Sequence, residues 1–183
     1  MKRLTLMLAG ALSLPTATAA QAAPDLIGRA LAAAPDRVRD GAAVIRWNAD
    51  YTYETLKEGT NRMVCYDRSA EARRSAFAVQ CTSAGNLERV AQNRRFRAES
   101  ASADEERALI GAAEADGTRV APEYGSLWIS MNGNDQAGAR THTTIAVPFA
   151  TTASTGLPEN GREGGAWIMD AGTSTAHIMT PGH

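Results

Sequence analysis

Lysine is almost missing from this chain. Of 183 residues only Lys2 and Lys57 are lysine, so arginine carries nearly all of the positive charge. Cysteine is also scarce, at two, as are histidine, at three, and aromatic residues, at 5%. Beyond residue 15 there is no long apolar run, which leaves no segment able to form a transmembrane helix, since spanning takes about 20 such residues. The formal net charge is −1, so no global basic field exists to recruit nucleic acid or an anionic membrane surface. Several local signatures of enzyme chemistry are missing as well. There is no G-x-S-x-G elbow, no H-E-x-x-H helix, no phosphate-cradling glycine loop and no dinucleotide fingerprint.

The one apolar run lies at the start. Lys2 and Arg3 precede Leu4 to Leu14, Pro15 breaks the run, and small residues lead to Ala20-Gln21-Ala22. A charged end, a short apolar stretch and an A-x-A site form the pattern of a cleavable export signal. The expected cut follows Ala22, with Ala19 as the alternative, and leaves 161 residues as a single domain. That product has 17 basic against 20 acidic side chains, a net charge of −3. It is expected in the periplasm or outside the cell. The bias toward arginine is read as codon composition, with recognition of anions by planar guanidinium groups as the alternative.

Cys65 and Cys81 are separated by fifteen residues. An even count in an exported chain reads as a disulfide, worth about 3 kcal/mol for a loop of this length. A reactive thiol or a pair of metal ligands is the alternative. Neither cysteine lies in a C-x-x-C motif or has a histidine close in sequence.

Periodicity outlines the rest. Residues 24–33 read as a helix ended by Pro35, with apolar positions at helical spacing. Alternation predicts a hairpin from residues 42–47 and 51–56. The Gly59-Thr60-Asn61 turn is expected to send residues 62–66 back along the sheet. Residues 67–79 read as a charged loop closed by the disulfide. Two helices follow, over 86–99, with Leu87, Val90, Ala91 and Ala98 as its apolar side, and after a capping box of Ser102 and Glu105, ending at Gly117. Strands return at 126–131, 141–149, 166–170 and 175–180, with Asn132-Gly133 as a turn and 150–165 as a long loop. The order argues for an α+β domain: an antiparallel sheet with two or three helices. Residues 62–97 hold eight arginines against three acids, and 98–116 hold six acids against one arginine. These blocks read as two neighbouring helices that pair their charges, or as a partner surface.

The residues left for chemistry are few. His183 is terminal, so His142 and His177 on predicted strands are the candidates. If strands 166–170 and 175–180 pair, Asp170 falls beside His177 on one face and could orient its imidazole. A shared catalytic site would need the two imidazoles within about 10 Å of each other. Neither a metal nor another cofactor is expected, because a catalytic zinc needs three protein ligands.

Gly156-Leu157-Pro158, Gly164-Gly165-x-Trp167-Ile168-Met169 and Gly172-Thr173-x-x-Ala176-His177-Ile178-Met179-x-Pro181 together resemble the C-terminal signature of an uncharacterised family of exported bacterial proteins. The Gly59-Thr60-Asn61 turn, Cys65, Cys81 and His142 are similar to features of that family upstream. The resemblance implies export, a bridging cysteine pair and two recurrent histidines, and no established reaction. Two functions fit. One is a non-catalytic binding or interaction module for a small molecule or envelope protein, using His142, Trp167, His177 and residues 150–165. The other is a small hydrolase or lyase with His177 as general base, oriented by His142 or Asp170.

Overall fold

The structure is a computed structural model that describes residues 22–180. Residues 1–21 of the expected export signal and His183 lie outside the described residues. The fold is α+β: an eight-stranded mixed sheet, mostly antiparallel, in the order β2-β1-β3-β4-β5-β6-β8-β7. The strands are β1 (Ala43–Trp47), β2 (Tyr53–Lys57), β3 (Met63–Asp67), β4 (Phe77–Ser83), β5 (Leu127–Gly133), β6 (Arg140–Ala146), β7 (Trp167–Met169) and β8 (His177–Met179). Three longer helices, α1 (Ala22–Leu31), α3 (Leu87–Glu99) and α4 (Ala103–Ala115), are joined by the single turns α2 (Asp36–Arg39) and α5 (Thr152–Thr155). No helix of the described residues is long and apolar enough to cross a membrane.

The two faces of the sheet are covered differently. On one, α1 packs Ile27, Ala30 and Leu31 against Val44, Cys65, Phe77, Val79, Cys81 and Ile129. Alanines at the contact let the helix approach closely, and each valine buried there contributes about 1.5–3 kcal/mol. Arg29 fixes the register of α1. Its guanidinium pairs with Asp67, donates to Ser69 Oγ (2.6 Å) and to the Ala76 carbonyl (2.7 Å), and lies over the Phe77 ring.

Cys65 and Cys81 face each other across β3 and β4 and are joined by a disulfide, with Cα atoms 4.1 Å apart. The link therefore clips neighbouring strands. The segment around it is shorter than a 67–79 loop, because Phe77 to Ser83 is a central strand buried on both faces. Phe77, Val79 and Cys81 meet α1, while Ala78, Gln80 and Thr82 alternate to the opposite side.

The first turn also differs from expectation. Strand β3 passes β2 and pairs in parallel with β1, at Ala43↔Val64 and Val44↔Cys65. Gly59 permits this. A Cβ there would stand 2.6 Å from the Ala43 nitrogen, so only glycine lets the connection cross the start of β1. The Gly41 carbonyl accepts from both Thr60 N and Asn61 N, which holds the crossing in place. Farther on, Asn132-Gly133 continues β5 instead of turning, and the hairpin reverses beyond it, with Asn132 paired to Arg140.

On the second face, α3 sets Leu87 and Val90 against Ile45, Val64, Tyr66 and Trp128. Buried Asn86 pins the start of this helix. It donates to Thr82 Oγ1 (2.7 Å) and Ser126 Oγ (2.9 Å) and accepts from Glu123 N (2.7 Å). The expected apolar side of α3 packs only in part, through Leu87 and Val90. Ala98 is exposed, whereas Arg89 is buried with Val90. Helix α4 begins at Ser102, which accepts from Glu105 N, and ends before Gly117 at φ +76°.

Candidate functional site

The register places the sequence candidates on this second face. In an antiparallel pair, residues directly opposite one another project to the same side. His177 lies opposite Ala146 and Met169, and Trp167 lies opposite Met179. His142 shares the face of Ala146 by period-two alternation. Sharing a face does not make these residues neighbours. His142 is exposed and lies four residues along β6 from Ala146, about 13 Å at strand rise. Trp167 occupies the edge strand, with its ring packed on Gly161.

Asp170 and His177 are close, but not through the expected shared face: His177 pairs with Met169, and Asp170 follows the strand in the turn at φ +53°. The carboxylate stands 3.8 Å from His177 Nδ1, beyond hydrogen-bond reach. Nδ1 lies instead 2.8 Å from the Thr175 carbonyl. A carbonyl can only accept, so Nδ1 carries a proton, and in the neutral imidazole the lone pair is on Nε2.

His177 is one wall of a cavity of about 270 Å³ between α3, α4 and the sheet. Neither His142 nor Trp167 lines it, and 150–165 does not reach it. Its polar walls include Arg89, Asn93, Arg97, Arg119 and Thr175, and Trp128 and Ile110 supply apolar surface. Arg89, Asn93 and Arg97 recur every four residues, which sets them in one row along α3.

The arginines fall into two kinds. Arg97 is neutralised, bonding Glu71 at 2.5 Å and Glu106 at 2.6 Å. Arg89 and Arg119 are only 4% and 9% exposed, and all of their hydrogen-bond partners are neutral. Arg89 donates to the Val120 carbonyl, Ser174 Oγ (3.2 Å) and Thr175 Oγ1 (2.8 Å). Arg119 donates to Gln92 Oε1 and Asn93 Oδ1, both at 2.5 Å, and its buried Nε has no partner among the described residues. Burial, then the neighbouring Arg119 charge, pushes the Arg89 guanidinium down to about 10, with Glu114 opposing. Burial likewise lowers Arg119. Both remain cationic at neutral pH.

Gln92 positions Arg119. It donates to the Thr118 carbonyl (2.8 Å) and accepts from Val120 N (3.1 Å), so the segment after α4 is laced onto α3. Among the described residues, only the Arg97–Glu106 contact pairs the two predicted charge blocks helix to helix. Four basic side chains of the first block, Arg68, Arg74, Arg94 and Arg97, converge instead on Glu71, whose side chain is 4% exposed. Burial would raise the Glu71 carboxyl, but Arg68, with Arg94 and Arg97, outweighs it and holds the group at about 2.

Sequence reasoning reached His177 and Asp170 through strand pairing and missed Arg89, Arg119 and Trp128. The signal available for them was the four-residue recurrence on α3. Among the described residues no group of three or more His, Cys, Asp or Glu is placed to hold a metal ion. No family model matches the chain, and no curated protein or solved structure matches it.

Proposed function

We propose that this chain is an exported, non-catalytic binding module that takes a small molecule in the cavity between the α3–α4 pair and the sheet. The observation that carries the reading is the composition of the cavity wall: buried guanidiniums, amides, threonine hydroxyls, the His177 imidazole and the Arg97-paired Glu106 carboxylate beside Trp128 and Ile110. A few fixed polar groups among apolar side chains are the usual make-up of a ligand seat. Export is supported by the Lys2-Arg3 end, the apolar run and the Ala20-Gln21-Ala22 site, and by the Cys65–Cys81 disulfide, which suits an oxidising compartment. The resemblance to exported bacterial proteins points the same way.

A second reading has one specific observation in its favour. With Nδ1 held by the Thr175 carbonyl and Asp170 nearby, His177 presents the tautomer of a general base. A small hydrolase or lyase would use Nε2 and Asp170 without His142.

Mass spectrometry of protein isolated undenatured from the envelope separates these readings. A module is expected to start at Ala23, carry the disulfide and show a mass excess that disappears on denaturation. A chain that starts at Met1 contradicts export. Turnover of ester or amide substrates that is lost in His177→Ala and kept in His142→Ala would replace binding with catalysis.

A further inference from the structure

We infer that the ligand of this cavity is a small organic anion, a carboxylate or phosphate ester whose charged group sits between Arg89 and Arg119. The inference rests on the binding reading above and names the class of ligand. A buried guanidinium without a counter-ion is costly, by several kcal/mol in real interiors. Here two guanidiniums, nine-tenths or more buried, flank one cavity, and among the described residues all of their hydrogen-bond partners are neutral and neither is in an ion pair.

The surrounding acids do not discharge them. Glu106 and Glu71 are committed to Arg97, with Glu71 shared among four arginines and Glu106 also taken by Arg73. Glu114 is hydrogen-bonded to Ser174 and Thr175 and forms no ion pair with Arg89 or Arg119 among the described residues, acting on both only as a nearby charge. Arg119 Nε, itself buried, has no partner among the described residues. Planar guanidiniums match the oxygens of a carboxylate or phosphate, and an anion would supply a counter-charge. Trp128 and Ile110 then face the organic part.

The anion's source is distinguished by the probes. Titration calorimetry on the mature, disulfide-bonded protein is run with benzoate, phenyl phosphate and the neutral benzamide. At least one anion is expected to bind and raise Tm, while benzamide does neither. Preference between benzoate and phenyl phosphate then identifies the headgroup. Arg119→Met should weaken binding by about tenfold or more, and without ligand its Tm should hold or rise, because a costly buried charge has gone. If Arg119→Met fails to fold, Arg119→Lys carries the test: it keeps the charge, loses the fork and should weaken binding by a similar factor.

Benzamide binding as tightly as the anions would overturn the anion class and leave the binding module standing. Failure of both anions at millimolar concentration would overturn the inference, as would full affinity in Arg119→Met or Arg119→Lys. A neutral molecule found on natively purified protein would uphold the module alone, whereas its isolation ligand-free together with anion failure would remove both.

Discussion

Arg89 donates a 2.8 Å hydrogen bond to the Thr175 hydroxyl, tying α3 to the turn that enters β8. The same hydroxyl donates to Glu114 Oε1 at 3.1 Å, and Ser174 bonds the same carboxylate through its own hydroxyl. One turn thereby links both helices to the sheet. Thr175→Val keeps the shape and removes both bonds, leaving a buried cation short of an acceptor. Urea unfolding should show a loss of roughly 1–3 kcal/mol. Unchanged stability would mean that the linkage contributes nothing.

Acid should weaken the fold through Glu71. Its folded carboxyl, held at about 2 against an ordinary 4.5, contributes stability above the ordinary value. That contribution fades as pH falls from about 4.5 to about 2 and amounts to roughly 3 kcal/mol. Glu71→Gln should remove it at neutral pH, leave four arginines around a neutral group and flatten the acid limb of a stability-versus-pH curve. An unchanged acid limb would contradict the arginine cage.

Two glycines should answer alanine oppositely. Gly59→Ala drives a methyl into the Ala43 backbone and should cost roughly 1–3 kcal/mol. Gly111 lies in α4 with nothing within 4 Å of an added Cβ, so Gly111→Ala should stabilise by about 0.5–1 kcal/mol. Thermal melts of the two variants check the crossing connection against the open helix face.

Reduction tests the strand clip. Replacing Cys65 and Cys81 together by alanine should cost about 3 kcal/mol and lower Tm by several degrees. Equal Tm with and without reductant would contradict a stabilising link.

Much of the sheet was legible where one face is apolar and the other polar. The β7–β8 hairpin followed from alternation around the Gly172 turn, but its register, with His177 opposite Met169, did not, and Asp170 comes near His177 from the turn instead of from the shared face. Strand β4 was hidden because it is buried on both faces, and the charged residues before it pulled the reading toward a loop. The parallel β1–β3 pairing depends on a glycine's close approach to another strand, which no local pattern announces. The cavity was hidden for a related reason. Its principal side chains are arginines, which hydropathy assigns to solvent, and Arg119 sits outside any regular element, where period carries no information.

The most direct measurement is an experimental structure of the protein purified from the cells that make it, without added ligand. The account predicts density for a small molecule in the cavity, with an acidic group within hydrogen-bond distance of Arg119 and its organic part against Trp128. A cavity filled only by water, with Arg89 and Arg119 turned to carboxylates of the chain, would contradict it.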